Sequence, residues 1–521
     1  MSTKPTKHKI KSILSRVMFS RALFILLLLA MQAVALIWGL LVLADNFPVL
    51  VYGMNLVAAV VLIFIINEDE PAEFKLTWSF IVILMPIVGV MIYLFNKSNW
   101  GMFTLKQKVR EESLCSKGMI KISEGTKEAL ETQDLSFRRF SDYLYKHCDF
   151  PTYHNTKVTY YDIGEEILKA LCEELKKAEK YILIEYFIIS KGEIWDEVFE
   201  ILKEKSSQGV EIKIMYDGLC SLTNLPYKYP KELKKYGIDA KMFAPIIPFL
   251  STTQNNRDHR KIVVIDGKCA FTGGVNIADE YANKLERFGH WKDVGIKLEG
   301  RAVMSMTRMF IQNWNLYGNI EVDYEKYLDE SYHLEHFEHN GFVVPYCDEP
   351  TDRKYVGKTV YEDIINNAVN YLYVMTPYFI VDGEFLNSLR YAAKRGVDVR
   401  IILPHIPDKK AAFAIARSFY PLLLEAGVKV YEYTPGFVHA KVMVADDREA
   451  TVGSVNMDYR SFYHHFENGV YMYDTSVTED IKADCINTIK QCIEVDIKYY
   501  KSISAFSRAI GRCLRLFAPL M

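Results

Sequence analysis

The sequence has no pair of cysteines at a Cys-x-x-Cys spacing, although nine cysteines are scattered from Cys115 to Cys513. That excludes the common zinc-binding and disulfide-framework patterns, and the odd count favours a reducing compartment for the large soluble portion. No excess charge of either sign is present: the net charge is −2, and the total by itself selects no class of partner. Local absences say more. Residues 1–21 hold no acid but carry Lys4, Lys7, Lys9, Lys11, Arg16 and Arg21. Residues 501–521 also hold no acid and carry Lys501, Arg508, Arg512 and Arg515. Two basic ends suit an anionic membrane surface. No extended basic groove pattern is present, so nucleic acid is not an expected partner.

Charge is missing altogether from residues 22–44, a stretch of 23, and two further apolar segments follow at 49–67 and 77–96. Each has about the 30 Å of helix that a bilayer core needs, and none shows a polar face. A cleaved signal peptide would be shorter, and here a second apolar run begins directly after Asp45–Pro48. The expectation is a transmembrane region over 22–96, with helices at about 22–44, 49–67 and 77–96. The basic tail before residue 22 favours a cytoplasmic amino terminus, while Lys97, Lys106, Lys108 and Arg110 favour the same side for the chain beyond residue 96. With three full spans these two signals oppose each other, so the side stays open.

A charged connector over 97–150 leads into alternating strand-like and helix-like stretches. "YILIEYFII" (181–189) reads as a buried strand, "EIWDEVFEILKEKSSQG" (193–209) as an amphipathic helix stopped by Gly209, and "VEIKIMY" (210–216) as a strand. The order returns in "YLYVMTPYFI" (371–380), "GEFLNSLRYAAKRG" (383–396) and "VDVRIILP" (397–404). The fold class expected is α/β: two similar halves, 151–320 and 342–500, packed about a pseudo-twofold axis. The linker between them, 321–341, carries His333, His336 and His339, but no cysteine or well-spaced carboxylate completes a metal set there, and it reads as a polar connector.

Each half contains one copy of a motif. "RDHRKIVVID" (257–266) presents His259, Lys261 and Asp266; "FVHAKVMVAD" (437–446) presents His439, Lys441 and Asp446. Every pair is separated by 180 positions, as are Gly273 and Gly453, and Asn276 and Asn456. On a strand, residues i and i+2 share a face, so each His lies beside its Lys. Brought together, two imidazoles and two ammoniums surround one small anion, which is what phosphodiester chemistry needs. Lys261 and Lys441 would hold the non-bridging oxygens. One His would attack phosphorus, and the other would protonate the leaving alkoxide and then deprotonate the incoming alcohol. Asp266 and Asp446 could orient the imidazoles, and Asn276 and Asn456 could bond the phosphate. No metal or other cofactor is expected. The symmetry of the motifs does not say which His attacks.

The doubled His-x-Lys-x4-Asp pattern, followed by Gly-Gly-x-Asn or Gly-Ser-x-Asn, resembles the phospholipase D superfamily. "NNRDHRKIVVIDGKCAFTGGVNIADEY", "HWKDVGIKLEG", "PGFVHAKVMVADD" and "VGSVNMDYRSF" are similar to bacterial cardiolipin synthases, as is the Pro86, Gly89, Tyr93 pattern of the third apolar segment. The resemblance covers about residue 50 to 521. It implies a multi-pass enzyme of the bacterial cell membrane that transfers a phosphatidyl group between two phosphatidylglycerol molecules, giving cardiolipin and glycerol. It also implies His259 as nucleophile and His439 as acid/base, Ser454 in the phosphate-binding set, and Asp293 and Glu467 as supporting acids. Segment 22–44 is extra to the usual two spans. Position 465 is His where many members have Asn, and His464 and His465 are read as surrounding or surface residues. A membrane-bound phospholipase D that hydrolyses lipid would use the same residues, and a non-catalytic scaffold is the alternative of another class. Phosphatidylethanolamine remains open as a second donor. At the carboxy end, 501–521, Phe506, Ile510, Leu514 and Phe517 recur at helical spacing, with arginines on other faces. The reading is a helix that docks on anionic lipid or packs on the domain.

Overall fold

The computed structural model describes residues 48–98, 102–246, 255–317, 322–328 and 341–520, together with Met31, Val34 and Trp38. Apart from those three residues, the segment 22–44 lies outside the described part, as do the basic tail 1–21 and the connector histidines His333, His336 and His339.

Strands in the first half are β1 (Thr156–Tyr161), β2 (Tyr181–Tyr186), β3 (Glu211–Asp217), β4 (Asp239–Phe243), β5 (Lys261–Ile265), β6 (Cys269–Gly273), β7 (His290–Lys292) and β8 (Gly295–Gly300). Those in the second are β9 (Phe342–Asp348), β10 (Tyr371–Met375), β11 (Phe379–Ile380), β12 (Asp398–Pro404), β13 (Lys429–Tyr433), β14 (Gly436–Val438), β15 (Val442–Ala445), β16 (Glu449–Gly453), β17 (Met457–Asp458), β18 (Glu467–Tyr473) and β19 (Cys492–Val495). The first sheet runs β1-β8-β6-β5-β2-β3-β4 and the second, from its other edge, β9-β18-β16-β15-β10-β12-β13-β19. Position by position the order is the same, with one added edge strand. The directions match too: β2–β3–β4 and β10–β12–β13 are parallel, and the remaining neighbours are antiparallel. The fold is therefore two like α/β halves. Central strands are buried on both faces, as their unbroken apolar runs require.

Helices cover the sheets through one apolar stripe each. Glu193–Ser207 buries Ile194, Trp195, Val198, Ile201 and Leu202, and the chain leaves it through Gly209 at φ 91°, a conformation that favours glycine. One apolar cluster extends from Phe74 to Ala518 and takes in residues of both sheets, so the halves share a core.

The amino-terminal region departs from expectation. Among the described residues no helix is long and apolar enough to cross a membrane. In place of one span over 77–96 there are two helices, Ala72–Leu84 and Pro86–Ser98, of 13 residues each. Pro86 explains the break: it disfavours helical backbone at the residue before it, and Met85 sits at φ −135°, ψ 77°. Each helix is about 20 Å long, short of a bilayer core. Gly89 allows the second to lie against the first, since a Cβ there would stand 2.7 Å from the Ile81 carbonyl oxygen. The helix Pro48–Asn67 forms over the expected 49–67 and packs Ala58, Val61 and Ile65 against Trp78, Val82, Val90 and Tyr93. Its other side is bare, with Leu56 70% and Phe64 65% exposed.

At the carboxy end, the helix Ala505–Arg515 packs on the helix Lys410–Ala426 at Gly511, where a Cβ would stand 2.2 Å from the Ala414 carbonyl oxygen. Phe506 stays 76% exposed. The chain then reaches the amino-terminal helices: Thr77 Oγ1 donates to the Leu516 carbonyl at 2.6 Å, and the Phe80 and Phe517 rings stand 6.0 Å apart. The segment is thus packed on the domain along one face, the second of the two readings, and leaves another face bare.

Candidate active site

His259 and His439 each sit just ahead of a central strand, β5 and β15, in the short segment where the chain crosses to the other half. In that segment β14 pairs in parallel with β7, and Asp258 bridges to Phe466 in the same sense. The backbone N–H of His259 donates to the Phe466 carbonyl at 2.9 Å, and that of His439 to the Lys292 carbonyl at 2.7 Å. Each histidine is thereby held beside the acid that comes next in the other half. His259 Nδ1 bonds Glu467 Oε2 at 2.9 Å, and His439 Nδ1 bonds Asp293 Oδ2 at 2.7 Å. The two contacts are reciprocal, as a twofold relation between halves demands. A neutral imidazole that donates its Nδ1–H to such a carboxylate keeps its lone pair on Nε2.

The lysines lie where the i, i+2 argument puts them, buried beside the histidines. Lys261 Nζ donates to the His259 carbonyl at 2.6 Å, and Lys441 Nζ lies 2.7 Å from His439 Nδ1 and 3.0 Å from its Nε2. His259 Nε2 has no hydrogen-bond partner among the described residues. Burial pushes His259 down to about 3, partly offset by Glu467, and His439 down to about 4, with the Lys441 ammonium adding to the effect. Burial also lowers Lys261 to about 8 and Lys441 to about 7, against the pull of Glu467 and Asp293 respectively. Burial alone would raise both acids; instead His259 holds Glu467, and His439 with Lys441 holds Asp293, below the ordinary carboxylate range.

The motif aspartates do not orient the imidazoles. Asp266 accepts from the backbone N–H groups of Glu179, Lys180 and Tyr181, each at 2.8 Å, and so fastens the start of β2. Asp446 does the same for Val369, Asn370 and Tyr371 at the start of β10. Both stand at the far end of their strand, in the turn after it, at φ 52° and 54°. Ser454 is likewise turned to an acid: its hydroxyl donates to Glu467 Oε2 and accepts from the Asn468 N–H at 2.9 Å. The asparagines differ. Asn276 uses both ends of its amide, on the Ile188 N–H at 3.0 Å and the Tyr281 hydroxyl at 2.7 Å, whereas Asn456 Oδ1 is buried without a partner among the described residues.

The position matching Ser454 in the first half is Gly274, where a Cβ would stand 2.0 Å from Asp293 Oδ1. One acid has a hydroxyl beside it and the other has bare backbone.

Aromatic rings wall the site. Phe187 lies edge-on to His259 at 4.8 Å, and Tyr281 and Trp291 lie 5.3 and 5.6 Å from His439. Motif spacing does not reveal these residues, although Trp291 stands two positions before Asp293 in "HWKDVGIKLEG". His465 is not on the surface: it is 9% exposed, its ring lies 5.7 Å from that of His259, and neither ring nitrogen has a hydrogen-bond partner among the described residues. His259, His465 and Glu467 bring three donor atoms within 4.8 Å of one another and are the residues that could hold a metal ion. Lys261 beside them opposes a cation electrostatically.

Residues 171–296 and 361–488 match the family described as "Cardiolipin synthase, PLD-like domain", and 53–95 match "Phospholipase_D-nuclease N-terminal". A Geobacillus sp. (strain WCH70) protein named cardiolipin synthase is 33% identical over 468 residues, 89% of this chain and 92% of its own length. The chain belongs to the cardiolipin synthase family. Another relative with that name, from Alkalihalophilus pseudofirmus, is 33% identical over 90% of this chain and 93% of its own. An uncharacterized protein from Streptococcus mutans is 45% identical over 88% of this chain and 99% of its own. Among solved structures, the phosphatidylserine synthase of Haemophilus influenzae Rd KW20 shares the fold, with a TM-score of 0.53 at 17% identity over 70% of this chain and 93% of that one. The cardiolipin synthase family pattern is matched twice, and each matched stretch includes one of the two His-x-Lys motifs.

Proposed function

We propose that the protein is a cardiolipin synthase that moves a phosphatidyl group from one phosphatidylglycerol to a hydroxyl of another and releases glycerol. The observation that carries this is the reciprocal pairing of His259 with Glu467 and of His439 with Asp293, each with its lysine, in a chain whose named relatives are cardiolipin synthases. In this reading His259 Nε2 attacks the donor phosphorus. The bond from phosphorus to the glycerol oxygen breaks, and His439 gives that oxygen a proton, leaving a phosphatidyl-histidine. The acceptor hydroxyl then loses its proton to His439 and attacks phosphorus, which forms cardiolipin and frees His259. The bare Nε2 of His259 favours it as nucleophile, because Lys441 Nζ lies against both ring nitrogens of His439. Burial and Lys441 keep His439 unprotonated in the absence of an anion; the phosphodiester supplies the charge that lets it hold a proton.

The apolar helices at 48–98 and the bare side of Ala505–Arg515 support attachment to a membrane, where both lipids are held at the site and water is scarce. We take the donor and acceptor to be phosphatidylglycerol and the surface to be anionic. Incubating purified protein with phosphatidylglycerol in mixed micelles tests the reading: cardiolipin and glycerol support it, and phosphatidic acid alone makes the protein a hydrolase. Trapping the intermediate on His439 and not His259 reverses the roles.

A further inference from the structure

A cavity of about 300 Å³ lies where the amino-terminal helices, the last residues of the chain and the catalytic body meet. Its wall carries four cations, Lys97, Lys106, Arg353 and Arg460, against two acids, Glu68 and Glu70. Lys97 already pairs with both acids at 2.6 Å, and Arg353 donates to the Asp69 carbonyl at 3.1 Å. Lys106 and Arg460 form no hydrogen-bonded ion pair among the described residues, although Asp458 is near enough to Arg460 to favour its charge. Burial and the nearby charges of Arg353 and Lys97 disfavour the charged form of Lys106, a cost that an anion would relieve. The remaining wall is suited to lipid: Phe74 and Trp78 line it from the helix Ala72–Leu84, and Pro519 and Leu520 from the carboxy end. The elements that form it also carry exposed apolar residues, Ile83 and Leu84 at the end of Ala72–Leu84 and Phe517 just before Pro519. Inside, it reaches the active site within a few residues: Asn256 is three positions before His259, and the Arg460 carbonyl accepts the backbone N–H groups of His464 and His465 at 2.9 Å.

We propose that this cavity is a phospholipid headgroup site, in which Arg460 and Lys106 bind the phosphodiester of an anionic lipid as it passes from the membrane to the histidines. The inference deepens the functional reading above and rests on it for the direction of travel, not for the binding itself. An anionic phospholipid is the occupant argued for, because the wall joins unpaired cations to apolar rings next to exposed apolar helices; a free phosphate ion would need no such rings.

The test uses full-length His259→Ala protein in mixed micelles with phosphatidylglycerol carrying a photoreactive headgroup. Label is expected within 70–78 or 460–464, and Arg460→Gln or Lys106→Gln should lower it roughly tenfold, as loss of a charged phosphate contact does. A phosphatidylcholine probe should label weakly, and millimolar inorganic phosphate should not compete. In otherwise unaltered protein the same substitutions should raise KM for phosphatidylglycerol much more than they lower kcat. Labelling that survives both substitutions, or that maps elsewhere, overturns the proposal, and full competition by inorganic phosphate assigns the cavity to a small anion. If the protein makes no cardiolipin, the functional reading fails, while the labelling of the His259→Ala protein still decides the cavity.

Discussion

His259 and His439 have corresponding partners, an acid from the other half and a lysine two residues on, yet the two jobs assigned to them are opposite. Glu467→Gln and Asp293→Asn should each cost roughly two to four orders of magnitude in kcat, as neutralising the acid of a His–acid pair does elsewhere. Single-turnover experiments should separate them: Glu467→Gln chiefly slows the step that forms the phosphoenzyme and frees glycerol, whereas Asp293→Asn slows both that step and the transfer to the acceptor. Equal effects on every step would deny the division of labour. The lysines add a dependence on pH. Their folded values, about 8 for Lys261 and about 7 for Lys441, mean that both carry charge below that range and lose it above. Affinity for the phosphodiester should therefore weaken as pH rises through 7–8, seen as a rising KM for phosphatidylglycerol. A KM that stays flat from about pH 6 to about pH 9 would remove the lysines from phosphate binding.

Among the elements, β5 and β15 show how far a sequence motif can be read. The His-x-Lys half of the motif is legible because it is local: two residues apart in the segment that leads into each strand, His and Lys end side by side. The Asp half was misread because Asp266 and Asp446 lie beyond the strand, where a turn with positive φ redirects the side chain to the neighbouring strand's first N–H groups. The acids that do orient the histidines sit in the opposite half, a separation of 208 positions for His259 and Glu467, and no local period reports that. Resemblance supplied those two residues; spacing did not. The likeness of the two halves is likewise legible in the repeat, whereas the break at Pro86 is not legible in apolar length, because it comes from the proline's effect on the backbone. Asp266→Asn, which tolerates the same backbone conformation, should weaken the fastening of β2 by about 1–3 kcal/mol, read as a lower Tm, with kcat of the folded protein nearly unaltered. A loss of kcat at full stability would return Asp266 to the site.

For the whole molecule, the shared core and the crossed His–acid pairs make the chain one catalytic unit. Co-expressing full-length His259→Ala and His439→Ala chains should restore no phosphatidyl transfer, because each pair closes within one chain. Recovered activity would mean that halves exchange between chains. The close fit at Gly274 also bears on how such a repeat can drift. Where the first half has bare backbone and the shorter acid, the second has a hydroxyl and the longer one: Gly274 with Asp293, Ser454 with Glu467. Any side chain at 274 would strike Asp293, so that position cannot take on its twin's residue by a single neutral step. The two copies have become mutually conditional alphabets, in which a letter allowed in one half is barred from the other until its partner changes first.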